Sequence, residues 1–192
     1  RAAAQKYSDR ELAGIVRNGI RPDGHSVLVM PSEAFVGLSD QDLGRIIAFL
    51  RSLPPVRGPG PGVELGPLGR MGFAIGKFKP AAQLIAETVP PPPAASKEAA
   101  FGRYLARTTC PQCHGADLRG ASTPAFTSPG LQVVAGYSRE AFTRLLRTGV
   151  ALDGRTLPMM GPWARSHLSY YTDEEIADLF TYLHAMTPAQ PR

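Results

Sequence analysis

One stretch of this chain occurs twice, and no other feature constrains its fold more tightly. YSDRELAGIVRNGIRPDGHSVLVM (Tyr7 to Met30) aligns without a gap with YSREAFTRLLRTGVALDGRTLPMM (Tyr137 to Met160), at an offset of 130 residues. Tyr7 matches Tyr137, Ser8 matches Ser138, Arg17 matches Arg147, and Gly19 matches Gly149. Asp23-Gly24 matches Asp153-Gly154, and Met30 matches Met160. Beyond the Met the offset becomes 133, and LSDQDLGRIIAFLRSL (Leu38 to Leu53) lies under YTDEEIADLFTYLHAM (Tyr171 to Met186). Each of these later segments opens on a hydroxyl N-cap with an acid three residues on, Ser39 with Asp42 and Thr172 with Glu175; only Glu is long enough to close a capping box. Apolar residues then fall at i, i+3, i+4 and i+7: Leu43, Ile46, Ile47 and Leu50 in one copy, Ile176, Leu179, Phe180 and Leu183 in the other. That spacing predicts one apolar stripe per helix, each helix stopping before a proline, Pro54 or Pro188. The chain therefore reads as two copies of one unit: short helix, Asp-Gly turn, Met-bearing loop, capped helix.

Between the copies runs a Pro/Gly-rich span, Pro54 to Ala95, ending in the stiff spacer VPPPPAAS. Within it Gly72 to Glu87 predicts a short helix or two. The expected division is 1–54, a linker 55–95, and 96–192. With 20 Gly and 19 Pro in 192 residues, much of the chain is loop, so a bound cofactor would help hold it together. The net charge of +5 is scattered, which argues against nucleic-acid binding and leaves room for steering toward an acidic partner. The most apolar window, Gly72 to Val89, is cut by Lys77, Lys79 and Pro80, too short a run to span a bilayer. With Arg1 first and no signal peptide, the chain is expected to be mature, trimmed or part of a longer protein.

The second copy has a front end, SKEAAFGRYLARTTCPQCHG (Ser96 to Gly115), which predicts a helix capped by Ser96 with Phe101, Tyr104 and Leu105 on one side. It runs into both cysteines of the chain, Cys110 and Cys113, with His114 behind them. Cys-x-x-Cys-His is the attachment sequence of c-type haem: two thiols for the two vinyl groups, and the adjacent His beneath the iron. A zinc site would need two more ligands, and His25, His167 and His184 form no close pair. A thioredoxin-like dithiol would follow a strand, whereas a helix precedes this motif and no convincing strand is legible anywhere. A disulfide across two residues closes almost no loop. A low-spin electron-transfer haem needs a sixth ligand, and a thioether suits it. Met160 is the candidate because the repeat pairs it with Met30; neighbouring Met159 is the alternative. The first copy has no such front end, and the offset places its His roughly 16 residues ahead of Arg1. The chain is therefore expected to begin partway into a domain.

The segments FGRYLARTTCPQCHG, LLRTGV, DGRTLPMMGPW and YTDEEIADLFTYLHAM resemble class I cytochromes c over Ser96 to Thr187, about half the chain. Tyr7 to Leu53 resembles the C-terminal part of another such domain. The resemblance implies an all-α fold, two tandem small helix bundles around covalent haem with the first incomplete, and first and last helices crossing near Gly102 and Tyr182. It implies a proline carbonyl accepting the proximal His N–H, from Pro129 or Pro124. Trp163 and Tyr137 would pack on haem or serve as ordinary core, and Arg147 would meet a propionate or stay at the surface. One haem c is expected on this chain, and a second, with Met30 as ligand, if the upstream segment exists; a haemless first domain is the other possibility. The function implied is electron transfer between a dehydrogenase or respiratory complex and an acceptor, in the periplasm or on the outer face of the plasma membrane. Membrane association is expected only through a partner or the upstream segment. A filled sixth position argues against an enzyme; the alternative is a cytochrome enzyme, thiosulfate dehydrogenase-like or peroxidase-like, with an exchangeable distal ligand.

Overall fold

The repeat seen in the sequence is a repeat in space. The computed structural model describes residues 3–28, 30–54, 64–97, 99–123 and 126–186. Pro124, Pro188 and the stretch 55–63 of the expected linker lie outside them. The chain divides into two units, Arg1–Thr88 and Val89–Arg192.

The first unit holds α1 (Ala3–Lys6), α2 (Asp9–Asn18), α3 (Asp40–Ser52), α4 (Pro67–Ala74) and α5 (Ala81–Glu87). Helix α2 starts in a capping box, with the Ser8 hydroxyl accepting the Glu11 N–H and the Glu11 carboxylate accepting the Ser8 N–H. It ends at Gly19, which takes the left-handed conformation (φ 66°) that closes a helix and favours glycine. The Asp-Gly turn follows, clasped by the Val27 N–H donating to the Gly19 carbonyl at 2.8 Å. Leu12, Leu43 and Ile47 form the buried core.

The second unit holds α6 (Ala99–Thr109), α7 (Pro111–His114), an antiparallel ribbon of β1 (Gly120–Ser122) and β2 (Thr127–Pro129), then α8 (Arg139–Thr148), α9 (Met160–Ser166) and α10 (Asp173–His184). The ribbon corrects the reading that no strand is present. Its residues, Gly-Ala-Ser and Thr-Ser-Pro, carry little strand propensity, so loop closure rather than local preference makes the pairing. Otherwise the fold is all-α, as expected.

Helix α8 ends at Gly149 (φ 75°) as α2 ends at Gly19. The Leu157 N–H meets the Gly149 carbonyl as Val27 meets Gly19. Arg147 pairs with Asp173 at 2.8 Å, and Arg17 pairs with Asp40 at the same distance. Thr172 and Glu175 form a complete capping box, while Ser39 accepts the Asp42 N–H. The copies part after the Met. In the second unit α9 packs so tightly on α8 that a Cβ at Gly149 would lie 2.1 Å from the Gly161 Cα. The first unit has only a three-residue 3-10 turn there, Ser32–Ala34, and α5 fills the space: a Cβ at Gly19 would lie 2.7 Å from the Ala81 Cβ.

The expected boundaries shift accordingly. Ala81 is buried in the first unit, so α5 belongs to that unit and not to a free linker. The proline spacer lies on the second. Polyproline offers carbonyls without N–H groups, and Arg103 donates to the Pro91 and Pro92 carbonyls while the Tyr182 hydroxyl donates to Pro92 at 2.7 Å.

Helices α6 and α10 cross at Gly102, where a Cβ would sit 1.9 Å from the Asp178 carbonyl oxygen. Only glycine permits this approach. Leu105 is buried and Tyr104 half-buried, but Phe101 is exposed, so the apolar side of α6 is centred on Ala99, Gly102, Leu105 and Ala106 rather than on the three larger residues. On α10 the crossing buries Leu179 and Tyr182, and Met186 just past the helix end is buried too. Their counterparts at the 133-residue offset, Ile46 and Phe49 on α3 and Leu53 just past its end, are all exposed: Phe49 is 62% accessible where Tyr182 is 2%.

Candidate haem attachment site

Cys110 follows the last turn of α6, and Pro111 opens α7 at the position where its fixed φ and missing N–H cost nothing. This single turn folds the motif back on itself: the N–H groups of Cys113 and His114 both donate to the Cys110 carbonyl, at 3.3 and 3.0 Å. Both thiols are free. Cys113 is exposed, while burial pushes the Cys110 thiol up to about 12. The turn ends at Gly115 (φ 80°), where a Cβ would meet the Gly120 carbonyl at 2.7 Å.

The ribbon then brings a carbonyl to the histidine. His114 Nδ1 lies 2.8 Å from the Pro129 carbonyl oxygen. A carbonyl only accepts, so Nδ1 carries the proton and Nε2 keeps its lone pair for a metal. Burial lowers the His114 pKa and so favours the neutral imidazole, opposed by the Pro129 hydrogen bond. Ser128, next to Pro129, donates to the Cys113 carbonyl and accepts the Ala121 N–H. The Leu131 N–H donates to the carbonyl of Leu118, itself wholly buried with φ 62°. Sequence reasoning missed Ser128 and Leu118, because their contacts come from a ribbon that short polar segments do not announce.

Cys110, Cys113, His114 and Pro129 are therefore brought together. Met160 opens α9 and is half-buried, and both it and Cys110 border the core cluster of the second unit; Met159 is exposed. Tyr137 borders the same cluster, and its hydroxyl accepts the Leu152 N–H at 3.2 Å. It also lines an open cleft of about 340 Å³ with Ala151, Leu152, Asp153 and Arg155. Trp163 stacks on His167, with ring centroids 3.7 Å apart. Arg147 is spent within the fold, on Asp173 and the Ser169 carbonyl. Met30 is half-buried in the first unit, where the chain has no cysteine.

Residues 99–187 match the family model for cytochrome c. The second unit is thus similar to a cytochrome c domain over that stretch. Its donor set fits covalent haem: two free thiols two residues apart on one helical turn, and an imidazole whose outward nitrogen is uncommitted. The fructose dehydrogenase cytochrome subunit of Gluconobacter japonicus is 24% identical over 200 residues, covering 94% of this chain and 41% of that protein. The similarity to that cytochrome thus extends across both units, and the chain spans less than half of its relative's length.

Proposed function

We propose that the chain is an electron-transfer protein carrying haem c with His114 and Met160 as axial ligands, serving a dehydrogenase on the outer side of a bacterial plasma membrane. The observation that carries this is the His114–Pro129 hydrogen bond, which fixes the tautomer a proximal ligand needs. Cys110 and Cys113 would form the two thioether links. The bound haem supplies a one-electron couple. The chain's own work is to hold it: α7 sets the thiol spacing, Pro129 orients the imidazole, and α9 brings a soft thioether that favours the reduced iron. With His114 and Met160 both holding the iron, no position would be left on it for a substrate. The similarity to a dehydrogenase cytochrome subunit supports the choice of partner class.

We further infer that the first unit is the later part of a second haem domain, with Met30 as its ligand. The exposed α3 face supports this, because its counterpart on α10 is covered by the helix that leads into Cys-x-x-Cys-His. The occupant would be an equivalent helix on chain upstream of Arg1, making the natural protein at least diheme.

The test of the ligand set is near-infrared magnetic circular dichroism of the ferric protein, which identifies thioether ligation. Met160→Ala is expected to abolish that signature and open the iron to carbon monoxide, and Met159→Ala to leave it intact. A wild-type protein that already binds carbon monoxide readily would favour the enzyme reading.

A further inference from the structure

The segment Pro67–Phe78 is built to display apolar side chains. Leu68, Met71 and Ile75 lie at i, i+3 and i+7 on and just beyond α4, so they form one stripe. All three are exposed, Leu68 to 77%, and Phe78 beside them is exposed as well. The display is rigid. Gly76 (φ 71°) turns the chain back, and the N–H groups of Lys77 and Phe78 both donate to the Gly72 carbonyl, at 2.8 and 3.1 Å. The Phe78 ring seats on Gly72, where a Cβ would lie 2.4 Å from it, and against Phe73 at 5.8 Å between centroids. Helix, turn and clasp thus form a self-supported knob with its large apolar groups outward.

Its charge has one sign. From Leu65 to Ala86 there is no acidic residue, and Arg70, Lys77 and Lys79 are basic. Lys79 pairs with Glu87 at 2.5 Å, while among the described residues Arg70 and Lys77 have no acidic partner. Arg70 lies on the opposite side of α4 from the stripe, and Lys77 follows the turn. Arg70 Nε donates to the Leu65 carbonyl at 2.9 Å, which leaves its charge unneutralised. An apolar stripe backed by cations without acidic partners complements an anionic lipid surface: the acyl region takes the side chains and the headgroups take the charge. Among the described residues no helix is long and apolar enough to cross a membrane, so a contact made by these helices would be of this surface kind.

We propose that Pro67–Phe78 is an interfacial membrane-binding knob that holds the chain on anionic phospholipid. This gives the chain a lipid contact of its own, where the sequence pointed only to a partner or an upstream segment. The test is flotation of the haem-loaded chain with vesicles of phosphatidylcholine alone or rich in phosphatidylglycerol, followed by haem absorbance. Binding is expected to be at least about tenfold tighter to the anionic vesicles and weakened by salt. Ile75→Glu is expected to lower it at least about tenfold, and Lys77→Glu by several-fold on anionic vesicles only. Tyr170→Ser, an exposed change in the other unit, is expected to leave it unchanged. Unaltered far-ultraviolet circular dichroism and denaturant unfolding of the first unit in all variants exclude a folding defect there, since the haem lies in the other unit. Binding to neither vesicle, or undiminished binding by Ile75→Glu, would overturn the proposal and assign the knob to a protein surface.

Discussion

Helices α3 and α10 share a hydroxyl N-cap, near-equal lengths of 13 and 12 residues and an apolar stripe, yet one lies under a neighbour and the other lies open. The difference between the two units is thus in what covers the final helix, not in the helix itself. In the second unit α6 crosses at Gly102 and seals Leu179, Tyr182 and Met186. In the first, the same positions face solvent. The lesson is that an apolar pattern does not by itself say what covers it: the same stripe lies under a helix in one unit and open in the other. The α8–α9 pair teaches the converse. Where α9 has no counterpart, α5 of the same unit packs against Gly19 instead, so the position is filled from a different part of the chain.

The largest expected effect breaks the covered unit. Gly102→Val drives a side chain into the Asp178 backbone and is expected to cost at least about 3 kcal/mol, seen as loss of haem-loaded protein or a steep fall in Tm. Next, Tyr182→Ala is expected to cost about 3 kcal/mol, and its counterpart Phe49→Ala to stay within about 0.5 kcal/mol on this chain; denaturant titration with a probe in each unit checks both. Equal costs would mean that the α3 face is already covered. Gly149→Ala and Gly19→Ala both force a side chain into left-handed backbone, costing about 1 kcal/mol or more. The former should be the worse, because it also meets the Gly161 backbone rather than one Ala81 methyl. Smallest of all, Asp173→Asn and Asp40→Asn are each expected to cost under about 1 kcal/mol, since both carboxylates are largely solvated. Near-equal values in thermal melts would mark the two ion pairs as one repeated feature.

Much of this architecture was legible in the residues. Caps at Ser39 and Thr172, the repeat that pairs Ser8 with Ser138 and Gly19 with Gly149, and the Cys110-Cys113-His114 spacing are local signals, and local chemistry fixes them. The Asp-Gly turns were visible for the same reason. What escaped was non-local. The β1–β2 ribbon is held by its place beside α7, the packing of α5 depends on a gap left by an absent helix, and Phe101 is exposed because α6 turns its small residues to α10. Ser128 and Arg103 act through partners that no spacing rule reaches.

The most direct test of the account is the haem-to-chain ratio, by pyridine haemochrome with intact mass. It should be taken on the 192-residue chain and on the full-length protein as its gene encodes it. The account predicts one haem on the first and two on the second, with Met30→Ala altering the ligand-field spectrum only of the longer protein. One haem on both would contradict it, and would make Met30 a packing residue in a unit without iron.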